Sequence, residues 1–152
     1  MRNLLLFSVA VAAVVTTAVA QRPGASHVIQ TRQTHYKQIG EAMKGITEQL
    51  RGRAPALPVI RRNARLIAGL APQVNGWFPH GTGAEAGVRT RALPEIWSDP
   101  QTFRTAAVHF TVAARRLDAD ARRGDMAAIR NSARTLANAC RDCHDSFRGP
   151  EA

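Results

Sequence analysis

Only two cysteines and one tyrosine occur among the 152 residues, and lysine is nearly missing, since 19 of the 21 basic side chains are arginine. Two thiols are too few for a disulfide-built scaffold. β-Branched and aromatic residues are too sparse beyond position 20 to build an all-β fold. The formal charge is +10, yet basic residues nowhere form a run longer than the pairs Arg61-Arg62, Arg115-Arg116 and Arg122-Arg123. The stripe or tail expected of a nucleic-acid binder is therefore missing, and no nucleic-acid partner is expected. No apolar run is long enough for a comfortable membrane span, the best being Leu4 to Val15, broken by Ser8. What remains is an α-rich chain, 45% hydrophobic, sized for one domain.

The first segment combines a short basic start, Met1-Arg2-Asn3, with that apolar stretch and the small-x-small sequence Ala18-Val19-Ala20. This order predicts a signal peptide over 1–20, cleaved to leave a domain over 21–152. An exported protein with no stable membrane span after cleavage is expected.

Val28, Ile29, Tyr36, Ile39, Met43, Ile46 and Leu50 recur at three- and four-residue steps and predict a first helix from about Ala25 to Leu50. Gly52 breaks it. Pro55 or Pro58 suits the first turn of a second helix carrying Val59, Ile60, Ala64, Ile67, Ala68 and Ala71, which Pro72 ends. Residues 73–99 show no periodicity and predict a long loop. Asp99-Pro100 is a strong start for a third helix, reaching Ala121, and Gly124-Asp125 supplies a turn and the cap of a fourth, Met126 to Phe147. Four helices with mostly short links predict an antiparallel up-down-up-down bundle. Alanines fill much of the inner stripe of the last two helices, so the core is thin and calls for a large apolar group to complete it.

Cys140-Arg141-Asp142-Cys143-His144 matches C-x-x-C-H, the covalent haem-attachment signature. On a helix the two thiols share a face and can bond the two vinyl groups of one porphyrin, while His144 offers a ring nitrogen to iron. A redox C-x-x-C belongs at a helix N-terminus and this one closes a helix; a zinc site would need a fourth ligand and a second cluster.

With that motif on the last of four helices, the chain resembles the class II c-type cytochromes, namely cytochrome c′ and its low-spin relatives of the c-556 type. The resemblance runs through Thr31-Arg32-Gln33, Tyr36, Gly40 and Met43, through Gly81-Thr82-Gly83 and Pro94-Glu95-Ile96-Trp97, and through Cys140 to Arg148. It implies a bacterial periplasmic homodimer that is not an enzyme, with one covalently attached haem c per chain inside an all-α bundle. It also implies His144 as proximal iron ligand, Arg32 reaching the haem propionates, Tyr36 over the iron and Arg148 on the proximal side. The alternative for Arg148 is a solvated cation at the helix C-terminus.

Arg32, Tyr36, Ile39, Gly40 and Met43 share one stripe, and Met43 lies about 10 Å along the axis from Tyr36 at about 1.5 Å per residue. Only one of the two can face the iron. In the low-spin relatives a methionine stands at the place of Tyr36; a bulky phenol there implies five-coordinate, high-spin iron that takes NO and CO, with electron transfer as a second role. The alternative is a six-coordinate, low-spin electron carrier with Met43 or His35 closing the site. Met43 otherwise reads as core. His35 is expected on solvent or a dimer surface, His27, His80 and His109 on the surface or in loops, and Trp77, Phe78, Trp97 and Phe147 as packing. An acidic redox partner or the membrane surface would complement the basic charge.

Overall fold

The computed structural model describes residues 24–150. The segment read as a signal peptide, 1–20, and the first residues of the expected mature domain lie outside the described residues. The helices are α1 (Ala25–Arg51), α2 (Leu57–Leu70), the short α3 (Glu95–Ser98), α4 (Pro100–Arg123) and α5 (Met126–Phe147). Among the described residues there is no strand, only one isolated bridge between Ala92 and Arg148. The expected bundle is formed by α1, α2, α4 and α5.

Local signals set the ends. Gly52 closes α1, its N–H donating to the carbonyls of Glu48 and Gln49. Pro58 occupies the first turn of α2. The Asp99 carboxylate accepts from the Thr102 N–H at the start of α4. Gly124, in the left-handed region at φ 78°, ends α4, and Asp125 accepts from the N–H groups of Ala127 and Ala128 to start α5. Arg61 of α2 reaches across to donate to the carbonyls of Ala121 and Arg122, satisfying the last turn of α4. Asp125→Ala removes a cap holding two N–H groups and is expected to cost about 1 kcal/mol in a urea titration.

The long connection has more structure than expected. Instead of leaving the helix at Pro72, the chain tightens into a 3₁₀ segment over Ala71–Trp77, with Pro72 in its first turn and Val74 and Trp77 buried. A one-turn 3₁₀ helix follows at Ala84–Ala86, and α3 buries Ile96. Burial of Val74, Trp77 and Ile96 at irregular spacing explains why no period announced these elements.

Helix α2 packs on α1 and α4, and α4 packs along α5, whereas α1 and α5 scarcely touch. The largest fully buried side chains, among them Ile29, Ile46, Ile60, Leu117, Ile129 and Leu136, lie away from the gap between α1 and α5. The thin core is thus localised: a large cavity separates the first helix from the last.

Candidate haem site

That cavity measures about 820 Å³, within the range of roughly 300–1,000 Å³ usual for small-molecule and cofactor sites. One wall is the end of α5, with Cys140, Cys143 and His144; the facing wall is α1, with Tyr36, Ile39, Gly40 and Met43; Phe78, Phe103, Phe110 and Phe147 fill in between.

Both thiols are half-buried and free of any disulfide. Burial, followed by the neighbouring Cys143, pushes the Cys140 thiol up to about 11, and burial also raises Cys143. A thiol exchange centre needs a lowered pKa, so the electrostatics run against a redox C-x-x-C. His144 stands at the rim. Partial desolvation first, then the charges of Arg148 and Arg91, hold its imidazole below the ordinary range, with Asp145 opposing. A neutral ring with a free lone pair is the form that ligates metal.

Arg148 is exposed at the same rim. Its N–H donates to the His144 carbonyl. Behind it, a tie that sequence reading missed lays the loop on the end of α5: the Leu93 N–H donates to the Phe147 carbonyl, the Gly149 N–H to the Arg91 carbonyl at 2.8 Å, and Arg91 Nε to the Gly149 carbonyl at 2.7 Å. No period or motif marks residues 91–93, and only the path of the loop brings them there.

On the facing wall the Tyr36 ring meets Trp77 edge-on, centroids 5.2 Å apart. Burial first, then the Cys143 thiol, hold its phenol well above the ordinary range, with Arg32 opposing. The phenol is neutral. Gly40 faces the cavity, and a Cβ built there meets no atom within 4 Å. Met43 lines the same cavity while packing on the core. Tyr36 and Met43 are therefore both on the wall, seven residues apart.

Arg32 is 3% exposed. Its guanidinium donates to Thr82 Oγ1 at 3.0 Å, to the Thr82 carbonyl at 2.7 Å and to Thr90 Oγ1 at 2.8 Å, and lies 4.6 Å over the Phe78 ring. It lines the cavity and at the same time ties the long loop to α1, a second task that its place on the helical stripe did not reveal. Arg32→Ala would leave the Thr82 carbonyl without its partner and untie the loop from α1, and is expected to cost about 2–4 kcal/mol in urea unfolding. Lysine cannot reproduce the fork and should rescue little.

Trp77 and Phe147 are buried, and Phe78, Phe103 and Phe147 form a chain of edge-on rings with centroids 5.1 and 5.2 Å apart. Trp97 Nε1 donates to the Phe78 carbonyl at 3.0 Å. Packing is the role of these rings, as expected. His35 is turned away from the cavity, as expected, but is half-buried rather than open to solvent, its ring 4.8 Å from that of Trp77, with a buried Nδ1 lacking a hydrogen-bond partner. The 3₁₀ segment delivers Trp77 onto that side of α1, a placement no helical wheel contains. His35 does not line the cavity, and His27, His80 and His109 are exposed.

The residues present fit a large flat apolar group with acidic tails: an apolar slot, two thiols and an imidazole on one wall, a Cβ-free patch on the other and arginines at the edge.

The chain is similar to known proteins over most of its length. The family model for Cytochrome C′ matches residues 27–148. Cytochrome c′ of Rubrivivax gelatinosus is 33% identical over 129 residues, covering 84% of this chain and 97% of that protein. Its crystal structure aligns with a TM-score of 0.77 at 31% identity, over 84% of this chain and 99% of that one. A cytochrome c′ described as having an unusual ligand-controlled dimer dissociation aligns at 0.79 and 25% identity, over 86% of this chain and all of that one. The nitric oxide complex of a variant of cytochrome c prime from Alcaligenes xylosoxidans aligns at 0.77 and 24% identity, over 86% and 100%.

Proposed function

The chain belongs to the cytochrome c′ family, and on that premise we propose that it is a periplasmic, gas-binding haem protein with five-coordinate, high-spin iron. Its cofactor is covalently attached haem c. Bound haem supplies an iron atom that takes a small axial ligand and exchanges single electrons. Cys140 and Cys143 would form the thioether links, and the neutral imidazole of His144 would bind the iron. Arg148 places a positive charge beside that imidazole, and Arg32 stands where the haem propionates would come.

One observation carries the open-site reading: the wall facing His144 presents the neutral, ring-packed phenol of Tyr36. A neutral phenol is a poor partner for iron, and its bulk leaves room only for small ligands such as NO and CO. The nitric oxide complex of a structural relative is consistent with this chemistry. Met43, on the same wall, supports one second reading, a low-spin electron-transfer cytochrome of the c-556 type. Of the residues lining the cavity, Glu48 is the only carboxylate, and it pairs with Lys44 at the exposed rim; the reading therefore takes binding and electron transfer before catalysis. The reading includes a homodimer, as dimerisation is described for one relative. It also includes export by residues 1–20, leaving a domain over 21–152. No helix among the described residues is long and apolar enough to cross a membrane.

Optical spectra of the ferric and ferrous protein, with and without CO and NO, test the assignment. Broad high-spin bands that shift with gas are expected. A split low-spin ferrous band unmoved by CO would overturn it in favour of Met43 ligation.

A further inference from the structure

The chain carries only two lysines, and both line the cavity from α1. Lys37 and Lys44 lie seven residues apart on one face of α1, with side chains 78% exposed. Gly40 stands between them, exposed and without a side chain, so the helix surface is bare where the lysines flank it. Arg51, Arg91 and Arg148 continue the same rim, and Glu48 is the only acid among the lining residues.

Each lysine faces a glutamate one turn on, Glu41 and Glu48, at 3.9 Å. Exposed pairs at this distance contribute little to stability. They release their lysines to a competing carboxylate at small cost. The choice of lysine in a chain that otherwise uses arginine has a physical meaning here. Arginine clamps carboxylates through a rigid two-pronged fork, whereas lysine is a hydrated point charge on a flexible stem, suited to steering and rapid release.

Resting on the reading of the cavity as a haem site, the geometry points to the Lys37–Gly40–Lys44 face as the transient docking surface for an acidic electron-transfer protein. Short-lived redox complexes bury less than about 1,200 Å² and gain speed from charge steering more than from area. With haem bound in the cavity, a docked partner's redox centre would exchange one electron with it, one being oxidised as the other is reduced.

The test uses the haem-loaded protein, reduced and mixed by stopped flow with hexacyanoferrate(III), an anionic oxidant, with poly-L-glutamate as a macromolecular competitor. Acetylation removes both lysine charges and reductive methylation keeps them. At about 10 mM ionic strength, acetylation or the pair Lys37→Glu with Lys44→Glu should slow oxidation about tenfold, methylation should not, and the difference should vanish near 0.5 M salt. Arg62→Glu with Arg65→Glu on α2, an equal change in net charge away from the cavity, should change the rate less than twofold. Poly-L-glutamate should inhibit the unmodified protein and not the acetylated one. Equal effects of the two charge reversals would overturn the proposal. So would lysine-dependent binding to phosphatidylglycerol vesicles without competition by poly-L-glutamate, which would make the face a membrane contact. The haem spectrum of the same sample separates the two readings: no bound haem overturns the site and the docking together, whereas haem present with lysine-independent rates overturns the docking alone.

Discussion

Replacing Cys140 and Cys143 together by alanine is expected to abolish haem staining on a denaturing gel, whereas each single variant keeps one thioether and still stains. The second expected consequence is structural. If the walls of an 820 Å³ cavity stayed apart and dry, the penalty at about 24 cal/mol per Å³ would approach 20 kcal/mol. A whole domain is stable by only about 5–15 kcal/mol. A chain without its cofactor must therefore flood or close the space between α1 and α5. α1 and α5 hardly touch directly; they are linked through α2, α4 and the loop that carries Thr82 and Arg91, so the walls of the cavity can move without unravelling the helices. The expected result for the haem-free double variant is retained far-UV helix signal, lost near-UV signal and dye binding to exposed apolar surface. A haem-free variant with intact near-UV signal and a sharp unfolding transition would show that the bundle needs no group in the cavity.

Tyr36→Met is expected to convert the ferrous spectrum from high-spin to low-spin and to reduce CO binding by more than tenfold. The substitution exchanges a neutral phenol for a thioether, a good ligand for ferrous iron, at the same place on α1. Tyr36→Ala should act oppositely, removing the ring that packs on Trp77 and speeding CO association by at least tenfold. Met43→Ala supplies the comparison. Tyr36 and Met43 lie about 10 Å apart along the helix, so only one of them can be level with the iron. Should Met43→Ala alter the spin state while Tyr36→Met leaves it unchanged, the distal residue is Met43 and the protein is a low-spin electron carrier.

Much of the molecule was legible before any coordinates. The C-x-x-C-H run and the stripe Arg32-Tyr36-Gly40-Met43 were readable as two walls because each is local to one helix, where a 3.6-residue period decides which side chains share a face. Caps at Asp99 and Asp125 were readable for the same reason: the acceptor lies within three residues of its donors. The alanine-rich stripe announced a thin core without locating it.

What the sequence by itself determined is the four bundle helices, most of their ends, the bundle class and the cofactor chemistry, since each rests on interactions spanning a few residues. Tertiary structure alone decided that Arg32 ties Thr82 and Thr90, that His35 stacks on Trp77, that Arg91 locks the loop to Gly149, and that both lysines border one cavity. The Arg32, His35 and Arg91 contacts join residues more than forty positions apart. They depend on how the 71–99 segment crosses the bundle, and buried irregular backbone follows the shape left by the helices, for which a single sequence carries no periodic signal.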